Sequence, residues 1–369
     1  MPAKHPIRVA CVAGARPNFI KVSALVEELS RRPQFESRLI HTGQHFSPEM
    51  SAIFFDELEL PAPDCHLGVG SSSAATPAEQ LTETMRRLEA EFKASKPDVT
   101  IVVGDVTSTL AAALVCSKLD IRVAHVEAGL RSFDRSMPEE VNRVITDSIS
   151  DDLFVSEPSG MANLKAEGVP DEKVHFVGNV MIDTLLRFRS KAAESQVLER
   201  LALQPGTYGV ATLHRPSNVD STEQLAALVG VLSVIAERLP IVFAVHPRTR
   251  QRIDAAQLET GNLKLLPPQG YLDFLHLLSA ARIVLTDSGG IQEETTILGV
   301  PCLTLRENTE RPATVEFGTN QVVGTDPTAI HAAAVNVLDS NATSKTAPDL
   351  WDGSAASRIL DLLEKAVRG

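Results

Sequence analysis

Short apolar runs alternate with longer segments of helical periodicity along almost the whole chain. The runs predict strands at residues 7–13, 38–41, 99–103, 123–126, 153–155, 175–177, 209–213, 241–245, 263–265, 283–286 and 302–305. The helices predicted between them include residues 18–31, 79–94, 109–118 and 222–237. This alternation predicts parallel sheets that are covered by helices on both faces.

The predicted strands are too many for a single doubly wound sheet. We therefore predict an α/β fold with two doubly wound Rossmann-like domains, spanning residues 1–178 and 179–352, with the boundary in the VGNVMID segment at 177–183. A final helix within residues 353–369 would pack back on the first domain. Ligands of such sheets bind at the carboxyl ends of the strands, so two facing domains predict one cleft between them.

The amino-acid composition and net charge argue for some classes of protein and against others. The 369 residues are 43% hydrophobic and 22% charged, as in ordinary globular proteins. The net charge of −12 argues against non-specific nucleic-acid binding, so an anionic substrate would need local positive groups. No segment approaches the roughly 18 apolar residues of a membrane span. The scattered cysteines favour reduced thiols in a cytoplasmic protein, and they argue against a disulfide framework or a zinc site.

Candidate binding residues follow the first predicted strand. Gly14-Ala15-Arg16-Pro17 ends that strand, and the next helix carries Lys21. Helix N-termini favour anions and an arginine adds a forked donor, so Arg16 and Lys21 could bind phosphate. The alternative is an ordinary turn with Arg16 on the surface. The turn lacks the GxGxxG pattern, which argues against bound NAD.

Three carboxylates are candidates for proton transfer. Asp105 follows the strand at 99–103, and Glu127 would lie beside it if the strand at 123–126 is its neighbour. Glu139 lies in the segment MPEEVNR shortly afterwards. Grouped carboxylates shift one another's pKa and suit proton transfer at carbon. The alternative is helix capping, by Asp105 in one case and by a capping box of Ser136 and Glu139 in the other.

Basic residues end two strands in the second half. His214-Arg215 follows one strand and His246-Pro247-Arg248 follows the next. Two such pairs at equivalent sheet edges favour an anion site, although a lone histidine is more often a satisfied core residue. The charged segment RENTERP at 306–312 should face the predicted cleft as well.

A glycine turn in the segment TDSGGIQEE at 286–294 provides the strongest single signal. Ser288, Gly289 and Gly290 can offer N–H and O–H groups to a diphosphate at the start of a helix. Glu294 could bind ribose hydroxyls, or simply stabilise the helix N-terminus. Phe274 could stack on a base, with core packing as the alternative.

Taken in order, the motifs GARPNFIK, HTGQHF, GDVTST, VEAGLR, MPEEVNR, HR, HPR, TDSGGIQEE and RENTERP resemble the non-hydrolysing UDP-N-acetylglucosamine 2-epimerase family. The resemblance covers nearly the whole chain. It implies the GT-B fold of two Rossmann-type domains, a UDP-sugar substrate and a homodimer. It also implies a reaction without NAD or metal, in a pathway that usually supplies surface polysaccharides.

The resemblance implies a mechanism as well. C1 of the sugar is an acetal carbon, so the C2 hydrogen is not acidic, and inversion proceeds by eliminating UDP to a 2-acetamidoglucal and adding it back. The implied acid/base and catalytic residues are Asp105, Glu127, Glu139 and His214. The implied substrate-binding residues are Arg16, Lys21, Arg215, His246, Phe274, Ser288, Gly289, Gly290, Glu294 and Arg311.

Departures from the family pattern leave alternatives open. Ser217 stands where many members have Glu, with little expected effect on catalysis. Many bacterial members have a second, activating UDP-GlcNAc site. Here Gln44 matches its pattern but Phe46 and Ser47 do not, so we expect this activation to be absent or different. The remaining alternatives are a 2-epimerase of UDP-2,3-diacetamido-glucuronic acid, a hydrolysing epimerase, and a glycosyltransferase that shares the fold.

Overall fold

The computed structural model describes residues 5–43, 48–71, 76–340 and 346–369. The chain divides into two compact units, residues 1–186 with 349–369 and residues 187–348. The second unit is therefore inserted into the first. None of the helices in the described ranges combines the length and apolar character of a transmembrane segment.

The first unit is built on a parallel sheet. Its described strands are β1 (Ile7–Ala13), β2 (Phe35–His41), β3 (Cys65–His66), β4 (Val99–Val103), β5 (Arg122–Ala128), β6 (Asp152–Val155) and β7 (Val174–Phe176). Their order is β3-β2-β1-β4-β5-β6-β7. The helices are α1 (Arg16–Ser30), α2 (Pro48–Glu57), α3 (Pro77–Ala94), α4 (Thr107–Leu119), α5 (Pro138–Ile149), α6 (Pro158–Ala166), α7 (Val180–Ala193) and the C-terminal α16 (Ala355–Arg368). Short 3₁₀ turns lie at Val69–Ser71 and Asp171–Lys173.

The second unit repeats this design. Its described strands are β8 (Gly209–Thr212), β9 (Ile241–Ala244), β10 (Lys264–Leu266), β11 (Ile283–Thr286), β12 (Cys302–Thr304) and β13 (Asn320–Val322), in the order β10-β9-β8-β11-β12-β13. The helices are α8 (Val197–Arg200), α9 (Pro216–Val219), α10 (Thr222–Ile235), α11 (Pro247–Ala255), α12 (Tyr271–Ser279), α13 (Gly289–Leu298), α14 (Ala313–Glu316) and α15 (Pro327–Asp339).

All pairings between strands in both sheets are parallel, and the central strands are buried on both faces. Such strands read as continuous apolar runs, and VTIVV in β4 is an example. Strand order reverses between β1 and β4 in the first sheet and between β8 and β11 in the second. These switch points are where open α/β sheets bind ligands. The predicted fold class of two doubly wound parallel sheets is confirmed.

The two units meet along the chain within α7, because Leu186 lies inside that helix. The sequence placed the boundary earlier, at 178. The C-terminal helix α16 belongs to the first unit, where Asp183 accepts hydrogen bonds from the Ala355 and Ala356 backbone N–H groups (3.2 and 2.8 Å). Trp351, just before α16, donates to the Ser156 carbonyl (2.8 Å).

Two edge strands were not predicted. β3 is only two residues long and β13 only three, and both lie at sheet edges. Edge strands this short lack the continuous apolar run that marks a buried strand. The sequence signal is therefore strongest at the central strands, which bring the candidate residues together.

Candidate active site

Asn18 forms hydrogen bonds at the ends of both strands of the switch point in the first unit, β1 and β4. Its Nδ2 donates to the carbonyl of Val103 at the end of β4 (2.9 Å), and its Oδ1 accepts from the N–H groups of Gly14 (3.4 Å) and Ala15 (3.3 Å). Asn18 thus fixes the ends of β1 and β4 against each other. Asn18 was not among the site residues predicted from the sequence, although it lies within the motif GARPNFIK.

Lys21 reaches this edge from α1 and forms an ion pair with Glu127 Oε2. Lys21 is 5% exposed and Glu127 4% exposed. A buried charge requires a partner, and each of these two side chains supplies the opposite charge to the other. Lys21 was predicted as a substrate-binding residue. The structure places it beside a predicted acid/base group, and its role in substrate binding stays a prediction.

Glu127 has a strained backbone. Its φ is +73°, in the left-handed region that non-glycine residues rarely adopt, and the pairing of β5 with β6 shifts register between Val126 and Ala128. A bulge of this kind turns a side chain away from the regular alternation of a strand. Backbone strain of this sort clusters at functional sites.

Gly104 immediately precedes Asp105 and lies close to the Lys21–Glu127 pair. Its φ is +67°, and a Cβ there would lie 3.4 Å from Lys21 Nζ and 3.7 Å from Glu127 Oε2. The positive φ favours glycine at the turn after β4, whereas a Cβ there would make only ordinary van der Waals contact with the Lys21–Glu127 pair.

Asp105 follows this glycine and pairs with Arg143 of α5. The guanidinium also pairs with Glu140, which accepts hydrogen bonds from the Ser132 N–H (2.9 Å) and the Phe133 N–H (3.0 Å). Arg143 is 1% exposed and is the anchor of this group. Arg143 and Glu140 lay within the quoted MPEEVNR motif but were not predicted as site residues.

The helix-capping alternatives for these carboxylates are wrong. The N-cap of α4 is Val106 and that of α5 is Met137, and neither helix has a side-chain cap. Ser136 donates its hydroxyl to Asp134 (2.6 Å) instead. Glu139 is half-buried in the first turn of α5.

In the second unit, His214 pairs with a buried aspartate at the corresponding switch point. Its Nδ1 lies 2.8 Å from Asp287 Oδ1, and Asp287 also accepts from the backbone N–H groups of His214 (3.0 Å) and Arg215 (2.9 Å). Burial acts to raise the pKa of Asp287, but His214 and these donors outweigh it and lower the pKa below its usual value. Sequence analysis quoted Asp287 within TDSGG without assigning it a role.

Arg311 packs against the glycine turn that begins α13. Its Nε lies 2.8 Å from Glu293 Oε1, and its Nη1 lies 2.6 Å from Glu310 Oε1. A Cβ at Gly289 would lie 2.5 Å from Arg311 Nη1. The turn therefore combines helix N–H groups, at Gly289 and Gly290 after Ser288, with a buried guanidinium, which suits an anion.

Glu310 organises three arginines around this turn. It lies 2.8 Å from Arg306 Nη2 and 3.4 Å from Arg215 Nη2, besides its contact with Arg311. Burial acts to raise the pKa of Glu310, but the three guanidinium groups outweigh it and depress the pKa strongly. The three guanidinium groups meet two buried carboxylates, since Arg311 also contacts Glu293, and such a cluster of cations suits a phosphate.

Glu294 lies deeper in the same helix and is 5% exposed. Burial, with the negative charge of Glu293, raises the pKa of Glu294 to about 8. Burial and Glu294 also raise the pKa of Tyr271 well above its ordinary value. A protonated Glu294 at neutral pH can both donate and accept hydrogen bonds, which suits a sugar hydroxyl.

The remaining candidates occupy simpler positions. His246 is exposed and caps α11, because its Nδ1 accepts from the Arg248 N–H (3.3 Å). Phe274 packs partly buried against the core of the second unit, as its alternative interpretation predicted. Arg16 begins α1, and its side chain lies outside what the structure describes, as do Gln44, Phe46 and Ser47. Within the described ranges, no group of three or more His, Cys, Asp and Glu side chains is arranged to hold a metal ion.

Known proteins are similar to this chain in both sequence and structure. The family profile described as UDP-N-acetylglucosamine 2-epimerase matches residues 27–364. The UDP-N-acetylglucosamine 2-epimerase of Methanocaldococcus jannaschii is 40% identical over 97% of this chain and 99% of its own length. The chain belongs to the UDP-N-acetylglucosamine 2-epimerase family. The family and enzyme class expected from the motifs are confirmed.

A solved structure and one further relative extend this comparison. A crystal structure of the M. jannaschii UDP-GlcNAc 2-epimerase in complex with UDP-GlcNAc and UDP superposes with a TM-score of 0.91, at 40% identity, over 97% of this chain and 100% of that one. The UDP-2,3-diacetamido-2,3-dideoxy-D-glucuronate 2-epimerase of Pseudomonas aeruginosa is 38% identical over 97% of this chain and 100% of its own. The family thus includes enzymes for two different sugars.

Proposed function

We propose that this protein interconverts UDP-N-acetylglucosamine and UDP-N-acetylmannosamine by inverting C2. The observation that carries the proposal is the pair of carboxylates at one switch point, Glu127 on its strained bulge beside Lys21 and Asp105 beside Arg143. Two ionisable groups, each oriented by its own cation, suit removal and return of a proton at carbon.

In the proposed reaction, these carboxylates transfer the proton at C2 of the sugar. A carboxylate of the first unit removes the C2 proton while the bond between C1 and the UDP oxygen breaks, which leaves a C1=C2 double bond and free UDP. The UDP oxygen then bonds to C1 again, and C2 receives a proton on its opposite face. Glu139 is a third candidate acid/base group, and the sequence resemblance supports its role.

The second unit would hold UDP throughout. Arg215, Arg311 and the N–H groups of Ser288, Gly289 and Gly290 would bind the diphosphate and stabilise its charge as it departs. His214, oriented by Asp287, could exchange a proton with the departing oxygen. Glu294 would bind the ribose hydroxyls, Phe274 would flank uracil, and Arg16 and His246 remain predicted substrate-binding residues.

The test is incubation with UDP-N-acetylglucosamine in D2O, followed by proton NMR. We expect a new anomeric signal for the epimer together with loss of the C2 proton signal. Glu127→Gln should reduce the rate by about 100-fold or more if it is an acid/base group. The control Glu172→Gln, at an exposed position, should leave the rate unchanged. Release of free N-acetylmannosamine would contradict the proposal.

The P. aeruginosa relative supports a second candidate substrate, UDP-2,3-diacetamido-glucuronic acid. The same NMR assay with that sugar distinguishes the two, because the preferred substrate shows the higher kcat/KM. The homodimer and the cytoplasmic location implied by the resemblance stay predictions. Light scattering after size exclusion would test the homodimer.

A further inference from the structure

A chain of polar contacts, which is buried except at its exposed end Glu167, reaches the turn after β4 in the first unit. Glu167 pairs with Arg131 (2.7 Å), and Arg131 Nη1 lies 2.7 Å from Asp147 Oδ2. Asp147 Oδ1 lies 2.6 Å from His125 Nδ1. His125 Nε2 lies 2.9 Å from the carbonyl oxygen of Gly104. The chain therefore ends on the residue immediately before Asp105.

The same aspartate also fixes the backbone around Glu127. One carboxylate oxygen of Asp147 contacts His125, and the other accepts a hydrogen bond from the Gly129 N–H (3.0 Å). These contacts lie two residues before and two residues after Glu127. The bulge that carries Glu127 is thus fastened at both ends to one buried side chain.

Gly104 is held from two directions. Its N–H donates to the Val126 carbonyl (3.0 Å), and its own carbonyl faces His125. Both contacts come from β5, the strand that carries Glu127. Rotation of the Gly104 peptide would therefore move Asp105 relative to Glu127, and His125 opposes that rotation.

The contacts of His125 are strong ones. Its ring is fully buried and Asp147 is 3% exposed, and both ring nitrogens face oxygen acceptors. Burial acts to raise the pKa of Asp147, but His125 and Arg131 outweigh it and lower the pKa. Charge-assisted hydrogen bonds in a low dielectric are shorter and stronger than neutral ones.

We propose that His125 is a positioning residue, which fixes the separation of Asp105 and Glu127 by linking Asp147 to the Gly104 carbonyl. The proposal rests on the proposed epimerase function, since it concerns two groups assigned to proton transfer. His125 itself need not touch the substrate. A displacement of about 1 Å in reacting groups can reduce a rate by roughly 100-fold.

Two substitutions separate the two contacts of His125. The amide nitrogen of an asparagine overlies Nδ1, so His125→Asn keeps the donor to Asp147 and loses the one to Gly104. The amide nitrogen of a glutamine overlies Nε2, so His125→Gln keeps the donor to Gly104. The control is His175→Asn in β7, a half-buried histidine whose ring centroid lies 5.5 Å from that of Phe154.

The assay is epimerisation of UDP-N-acetylglucosamine in D2O at initial rate, with kcat, KM and deuterium at C2 measured separately. For His125→Asn we expect kcat to fall about 100-fold with KM within about twofold, and for His125→Gln a fall of about tenfold. The fraction of substrate that gains deuterium without inversion should rise in His125→Asn, since misplaced carboxylates return the proton to the wrong face. His175→Asn should match the wild type.

The outcomes separate this proposal from the proposed function. An inactive wild type would refute the epimerase function itself. An active wild type with His125→Asn at a similar kcat and unchanged deuterium partition would overturn the positioning role. Unfolding of both His125 variants, seen as loss of the wild-type melting transition, would also overturn it, because His125 would then be a structural core residue alone.

Discussion

Substitution of Gly289 by alanine tests the proposed binding of UDP at the start of α13. The new methyl group would lie 2.5 Å from Arg311 Nη1 and 2.8 Å from Glu310 Oε1. Carbon atoms in contact prefer about 3.5–4.0 Å, so the guanidinium must move by about 1 Å. Arg311 cannot move freely, because its guanidinium forms ion pairs with Glu293 and Glu310.

The expected loss follows from that displacement. One charged hydrogen bond contributes about 1.5–3 kcal/mol, and the methyl group also obstructs the N–H groups at the start of α13. A loss of about 1.4–2.8 kcal/mol corresponds to a dissociation constant for UDP that is roughly 10- to 100-fold higher. Isothermal titration calorimetry with UDP measures this directly.

Gly230→Ala is the matched control. Gly230 lies exposed within α10 of the same unit, and a Cβ there would meet nothing within 4 Å. Alanine is favoured over glycine in a helix interior by about 0.8–1.0 kcal/mol, so this variant should be slightly more stable and bind UDP normally. A Gly289→Ala variant with wild-type UDP affinity would refute the assignment of the α13 turn as the diphosphate site.

Three further predictions concern buried titratable groups. Between about pH 4.5 and about pH 8, Glu294 keeps a proton in the folded state that it releases in the unfolded chain, so the free energy of unfolding falls as pH rises. Denaturant unfolding across this range should show a smaller decrease for Glu294→Gln than for the wild type. Burial and His66 lower the pKa of His41 to about 4, so the free energy of unfolding decreases as pH falls from about 6.5 toward 4. Denaturant unfolding of His41→Phe should not show this decrease. Asp287→Asn should reduce kcat by about 100-fold or more, measured by NMR, while UDP binding by calorimetry persists.

The central strands and their polar ends were predictable because one physical rule produces both signals. A strand that is buried on both faces must be apolar throughout, so the first polar residues after it mark the sheet edge where ligands bind. Asp105 after β4 and His214 after β8 were found in this way. Neighbouring strands then brought Asp105 and Glu127 to the same edge, as expected.

The partners of these residues were not predictable from spacing. Lys21 lies on α1 and Glu127 on β5, and their ion pair depends on β4 lying between β1 and β5. Arg143 reaches Asp105 from a different helix for a similar reason. Glu127 itself is neither glycine nor proline, so the residue at the bulge did not indicate its conformation, which contacts of Asp147 with His125 and Gly129 support.

The insertion of one unit within the other has a consequence for the order of folding. Residues 187–348 contain every strand of the second sheet, so this unit can fold during synthesis as soon as it leaves the ribosome. The first unit is completed later, because the buried Ile359, Leu360 and Leu363 of α16 emerge after the whole of the second unit. If the second unit binds UDP as proposed, a nascent chain could therefore bind UDP before the carboxylates of the first unit are in place.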